Sequence, residues 1–298
     1  MPAAAYLGEH GRFATTLCAA DAIYSMLPAL RSANVVINSR SGETAEVVKL
    51  GRALAAEHIP FITITNEPES TLAGLADAIV WTDTHKDELV SINVVSGMMT
   101  ATLALAAAAL GKLDELRPEL ERLAEAMDGV VARAAAQADR FQALFTGMRP
   151  LYLLYRGHAK GAAYCGRLAL EEISRTPSIA MDAAEFRQGP NEVIDERFAA
   201  VVFCGAGKQG ELNLSLAGDI QNSGGRVMLV GEAAPVSGGP RELVFEIPGF
   251  SDALRPVLEV VPVQVLAYRL AQAQGYPPGE TRYITKIILT EEGIPNQT

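Results

Sequence analysis

The sequence predicts an α/β protein built on parallel sheets, and three observations predict it. Short β-branched runs alternate with amphipathic stretches, the order that builds parallel strands joined by helical crossovers. One order of strand, glycine-bearing loop, helix and strand occurs twice along the chain. Aromatic residues make up only 6% of the 298 residues while alanine is abundant, which favours packed helices over a β-sandwich.

The elements follow in order. "NVVIN" (34–38) is a short apolar run of the kind buried in parallel sheets. "GETAEVVKLGRALAAEH" follows, with Val47, Leu50 and Leu54 at helical spacing. "PFITITN" (60–66) is the next strand, and "STLAGLADAIVWTD" holds a short helix and a further strand. Residues 98–111, "MMTATLALAAAALG", read as a buried helix, too short and too rich in alanine to cross a bilayer. Residues 114–148 are almost all helix-forming, with leucines and alanines at three- and four-residue steps, and make a helical connector. "LYLLYRG" and "AAYCGRLALEEIS" open the second unit, and "AAVVFCGAGKQGELNLSLAGDIQNSGGRVMLVG" copies the order of the first. The expected partition is a first unit at 1–113, the connector at 114–148, a second unit at 149–275 and a tail at 276–298.

Composition excludes several roles. A net charge of -10 disfavours gripping nucleic acid through its phosphates, which takes clustered Lys and Arg. Cys18, Cys165 and Cys204 are odd in number and widely spaced, so reduced and mostly buried thiols are expected rather than a disulfide framework. His10, His58, His85 and His158 lack metal-ligand spacing, so no metal is expected. The opening "MPAAAYLGEHGRF" has no basic segment followed by an apolar core, which points to a cytoplasmic protein without membrane contact.

"NSRSGET" (38–44) lies where a strand ends and a helix begins, the position at which open α/β sheets bind ligands. A helix N-terminus favours an anion, Ser39, Ser41 and Thr44 add hydroxyls, and Gly42 allows close approach of the backbone. The lysine of a nucleotide-binding P-loop is absent, so a single phosphate monoester fits better. By generic chemistry alone the loop is equally a helix cap, with Ser41 or Thr44 capping and Arg40 solvated.

"SRSGET", followed by "ITITNEPESTLAGLADAIV", resembles the sugar isomerase (SIS) domain family. The resemblance implies two tandem units of flavodoxin-like, three-layer form, the first shortened at its N-terminus. It implies a phosphate cradle of Ser39, Arg40, Ser41, Gly42 and Thr44. "YRGHAKGAAYCGRLALEEISRTPSIAMDAAEFRQGPNEVID" is similar to the isomerase half of glucosamine-6-phosphate synthase and to fructosamine-6-phosphate deglycases. By that match Glu172 is the catalytic carboxylate and Lys286 the lysine of a tail that folds over the site, with Thr285 beside it and Arg156 at a strand end. Gln188 stands where the synthases carry a histidine, and Ala169 and Cys165 replace a helix lysine and glutamate. His158 is a candidate replacement proton shuttle; a solvated loop histidine is the plainer reading. The implied function is isomerisation, deamination or deglycation of amino- or ketosugar 6-phosphates, without a glutaminase domain or cofactor and as a homodimer. The alternative is a sugar-phosphate binder without turnover. "CGAGKQGEL" (204–212) lacks the dinucleotide fingerprint and reads as a plain turn between strand and helix.

Overall fold

The computed structural model describes residues 2–88, 90–232, 238–283 and 287–292. It contains two compact units, each discontinuous in sequence: residues 14–105 with the tail from 281, and residues 1–13 with 106–280. The expected connector is thus part of the larger unit, and the tail divides at 280/281 rather than at 276.

In the smaller unit, β1 (Val35–Asn38), β2 (Phe61–Thr65) and β3 (Ala78–Trp81) form a parallel sheet in the order β1-β2-β3. Helix α2 (Ala45–Ala56) crosses between the first two strands; α1 (Pro2–Glu9) belongs to the other unit. Its Leu50 and Leu54 pack with Ile37, Phe61 and Leu72 into one core. Val48, rather than the expected Val47, is the fully buried valine of that helix. Gly51 sits against Leu72, whose Cδ1 lies 2.8 Å from where a Cβ would stand, so any side chain there pushes the helix off the core. Helix α3 (Thr71–Leu75) precedes β3, with Ser70 as its N-cap.

Helix α4 (Asn93–Ala109) corrects the expectation of a buried helix. Val94, Leu103, Ala106 and Ala107 are buried, but most of its other residues are half-exposed. Its start is held by Asp87, whose carboxylate accepts from the N–H groups of Ile92, Asn93 and Val94 at 2.8–3.1 Å. An acidic group there satisfies orphan donors and faces the positive end of the helix dipole.

The larger unit holds α5 (Leu113–Ala136), α6 (Ala138–Phe145) and a five-stranded parallel sheet in the order β5-β4-β6-β7-β8. Its strands are β4 (Leu151–Tyr155), β5 (Ser178–Asp182), β6 (Ala199–Cys204), β7 (Arg226–Gly231) and β8 (Glu242–Glu246). Every residue of β4 and β6 is buried, as expected of central strands covered on both faces. On one face, Tyr152, Leu154, Ala200 and Val202 pack under Leu216, Ala217 and Ile220 of α8 (Gly207–Asn222). The opposite face meets α7 (Lys160–Ser174), which approaches closely because Gly166 has no side chain. A Cβ there would stand 2.9 Å from Val263 of α9 (Arg255–Ala273) and 3.0 Å from Leu153. The three-layer α/β arrangement matches the expectation for this unit.

Thiol burial departs from expectation. Cys204 is buried, Cys165 half-buried and Cys18 exposed, and all three are free. Among the described residues, no helix is long and apolar enough to cross a membrane.

Candidate functional site

The loop after β1 folds on itself. Gly42, at φ +62°, donates its N–H to Ser39 Oγ at 3.1 Å, and the N–H of Glu43 reaches Ser41 Oγ at 3.3 Å. A Cβ on Gly42 would lie 2.0 Å from Ser70 Oγ, so only glycine makes this turn. Thr44 takes the N-cap position of α2 with extended backbone, yet its side chain makes no capping bond. The plain capping reading therefore does not hold for Thr44. Nor is Arg40 solvated: it is half-buried, and its Nη1 donates to Ser91 Oγ at 3.0 Å.

These bonds change how the loop can hold an anion. Backbone donors were expected to lead, but the N–H groups of Gly42 and Glu43 are taken by the serines. That of Ala45 is taken by the Ile288 carbonyl at 2.9 Å. Because Ser39 and Ser41 accept through oxygen lone pairs, each keeps its hydroxyl proton to donate. That leaves the hydroxyls of Ser39, Ser41 and Thr44, the Arg40 guanidinium and the α2 dipole as the features of this loop suited to an anion.

Beside the loop opens a pocket of about 390 Å³, lined by Arg40, Ser41, Glu43, Asn66, Lys86 and Ile287 among others. That volume suits one small ligand. Its wall is rigid where Asn66 is buried. The Asn66 carbonyl accepts from Thr82 Oγ1, Thr84 N and Thr84 Oγ1 at 2.8–2.9 Å, and its amide donates to the Thr84 carbonyl. Lys86 is exposed and pairs with Glu67 at 2.8 Å. The tail is pinned to the same unit by Glu291, which meets Lys49 and the Tyr24 hydroxyl, each at 2.8 Å. These bonds lower the carboxyl pKa of Glu291, that to Lys49 most, and raise the pKa of Lys49. Asn66, Lys86, Asp87 and Ser91 were not singled out from sequence. The "TN" within "ITITNEPES" was the one signal pointing to Asn66.

In the larger unit, Glu172 is half-buried on α7, and Glu171 turns toward Arg167 at 3.8 Å. Ala169 is buried. Gln188 is exposed on the turn after residues Ala183–Phe186, its N–H bonded to the Glu185 carbonyl. His158 corrects the solvated-loop reading. It is 7% exposed, with Nε2 2.8 Å from Glu9 Oε1 and Nδ1 buried without a hydrogen-bond partner among the described residues. Arg156 Nε donates to Asn213 Oδ1 at 2.9 Å, and Asn213 in turn donates to the Phe203 carbonyl. Thr285 and Lys286 lie outside the described residues. Among the described residues, no group of three His, Cys, Asp or Glu side chains is placed to hold a metal.

Comparison with known proteins defines the class. Residues 2–108 match the model described as "SIS domain". Its relatives include proteins named glutamine–fructose-6-phosphate aminotransferase [isomerizing]. The one from Pyrobaculum aerophilum is 26% identical over 260 residues, covering 85% of this chain and 43% of the relative. The one from Mycolicibacterium paratuberculosis is 29% identical over 275 residues, covering 88% and 44%. The chain thus spans about half the length of the curated relatives it matches.

Solved structures agree on the fold. The C-terminal domain of glucosamine-fructose-6-phosphate aminotransferase from Francisella tularensis superposes with a TM-score of 0.82 at 21% identity, over 93% of this chain and 81% of that one. A glucosamine-6-phosphate deaminase from Thermotoga maritima gives 0.79 at 20% identity, over 96% and 85%. A tagatose-6-phosphate ketose/aldose isomerase from Escherichia coli gives 0.75 at 19% identity, over 93% and 79%. The chain has the fold of these solved structures, and its residues 2–108 are similar to the SIS domain.

Proposed function

We propose that this chain is an enzyme acting on amino- or ketosugar 6-phosphates by aldose–ketose isomerisation, deamination or deglycation. The observation that carries this is the pocket beside the 39–44 loop, lined by Arg40 and Ser41, in the stretch of chain that matches the SIS domain. The phosphate docks there, and its sugar extends into the remaining volume toward Asn66 and Lys86. Binding through the phosphate positions the reactive carbons without contacting them, which is the means by which remote groups lower a barrier.

The chemistry itself needs a base that takes a proton from one carbon and returns it to its neighbour. By resemblance Glu172 is that base, since a single carboxylate shuttles a proton between C2 and C1 through an enediol. Lys286 supplies positive charge or an amine at the carbonyl end. The subunits pair as a homodimer, the protein is cytoplasmic, and no cofactor takes part. Gln188 and Ala169, where the synthases carry His and Lys, favour the simpler chemistries over glucosamine-6-phosphate formation and motivate the second reading, a binder without turnover.

The test incubates the protein separately with fructose-6-phosphate, glucosamine-6-phosphate and a fructosamine-6-phosphate, following isomer, ammonia and amino acid release. Turnover of any one, abolished by Glu172→Gln while ligand-induced stabilisation persists, is the expected result. Stabilisation without turnover of any of the three establishes the binder instead.

A further inference from the structure

The larger unit has its own crevice at the carboxyl ends of its strands. From β4 the chain moves outward to β5, then returns to place β6 on the other side of β4. That reversal is a topological switch point, where strand-end loops diverge to opposite faces and leave a cleft. Arg156 and His158 follow β4, Gly205 and Ala206 follow β6, and all of them line a small cleft there.

Four features make this cleft a built site. The sixteen-residue α8 starts in it, and its N-cap residue Ala206 has no polar side chain to cap the first turn at the positive dipole end. Arg156 spends only Nε on Asn213, and among the described residues nothing engages its terminal nitrogens. His158 Nδ1 and Glu259 Oε2 are both buried, belong to residues that line the cleft and have no hydrogen-bond partner among the described residues. Buried polar atoms left unmatched in this way mark a missing occupant. Arg255, the other cation, is committed to Glu232, Asp252 and Glu259.

The glycines keep the cleft open and its walls close. A Cβ on Gly210 would stand 1.7 Å from the Gly205 carbonyl, and one on Gly157 would stand 2.4 Å from Gln209 Oε1. The room behind the mouth, about 20 Å³, admits one or two water-sized atoms. That excludes a nucleotide or a whole sugar and fits the two oxygens of one small oxyanion head.

We propose that this cleft, formed by Arg156, His158, Gln209 and the N-terminus of α8, binds a small oxyanion, a carboxylate or a phosphate group. The terminal nitrogens of Arg156 grip it from the mouth, and His158 Nδ1 faces it from within while Nε2 stays on Glu9. Burial raises the Glu259 pKa to about 7, so this side chain retains a proton into the neutral range and donates rather than repels. The site is independent of the Ser39–Thr44 pocket, and its test does not depend on that reading.

The experiment labels the imidazole nitrogens and assigns the His158 signals by their loss in His158→Asn. Sodium acetate and, separately, sodium phosphate are then titrated at fixed ionic strength against sodium chloride. A saturable millimolar shift of His158 Nδ1 is expected with at least one oxyanion and not with chloride. Whichever salt acts identifies the head group. The shift should weaken at least tenfold in Arg156→Gln and severalfold in Gln209→Ala, a change at an exposed position that leaves the fold intact. No saturable shift in the wild-type protein, or an undiminished one in both variants, overturns the proposal and leaves the cleft to water.

Discussion

Replacing Glu259 by Gln should reverse part of the pH dependence of stability. Glu259 is 1% exposed, and Arg255 Nε lies 3.4 Å from its Oε1. Burial raises its pKa from 4.5 to about 7; Arg255 opposes the rise, and Asp252 and Glu232 add to it. A folded-state pKa above the unfolded value means that the native state binds the proton more tightly. The resulting stability is full below pH 4.5 and is lost as pH rises through about 7. That displacement corresponds to about 3 kcal/mol. Glutamine has the same shape and no proton to lose, so the variant escapes the penalty while Arg255 keeps Asp252 and Glu232. Urea unfolding of both proteins at a series of pH values isolates the effect, because every other titrating group cancels in the difference. The stability of Glu259→Gln relative to wild type should rise by about 3 kcal/mol between acid and mildly alkaline pH. A difference independent of pH would refute the reasoning and mean that Arg255 keeps Glu259 ionised throughout.

Other outcomes follow from the smaller unit. Gly42→Ala places a methyl group 2.0 Å from Ser70 Oγ at a positive φ. It should lower stability by about 2–3 kcal/mol in urea unfolding, combining left-handed strain with loss of the Ser70 cap. It should also abolish thermal stabilisation by sugar phosphates. Asp87→Ala uncaps α4 and should cost about 1–2 kcal/mol by the same measurement; a change within error would mean that the cap is replaced by water. Leu54→Ala, at a fully buried position of α2, should cost about 2–5 kcal/mol.

Much of the fold was legible because parallel sheets write a strong signal. NVVIN, FITIT, LYLLY and AAVVFC are short, apolar and bounded by polar turns, and each is a strand. Strands β5 and β8 escaped notice: SIAMD and ELVFE mix polar residues into edge positions, where burial is partial and the pattern fades. The long helix α9 was also missed, because Pro256 and Pro262 read as breaks and its buried Arg255 and Glu259 look like surface charges. Only folding reveals that the two are buried side by side, Arg255 Nε 3.4 Å from Glu259 Oε1. In the site, the hydroxyls of SRSGET were visible from chemistry, but not that Gly42, Glu43 and Ala45 have their N–H groups occupied. That depends on the Ile288 carbonyl, more than two hundred residues away in sequence. His158 was placed in a solvated loop because its partner Glu9 lies in a distant helix that carried no motif.

The smaller unit takes in a segment that follows the larger unit in sequence, through the Ile288 carbonyl on Ala45 and Glu291 on Lys49. Its sheet emerges early from the ribosome, yet those clasps are synthesised only after the entire larger unit. The pocket wall at Ile287 is therefore made after residues 106–280, and the loop at 38–44 gains its clasp only once they have been synthesised.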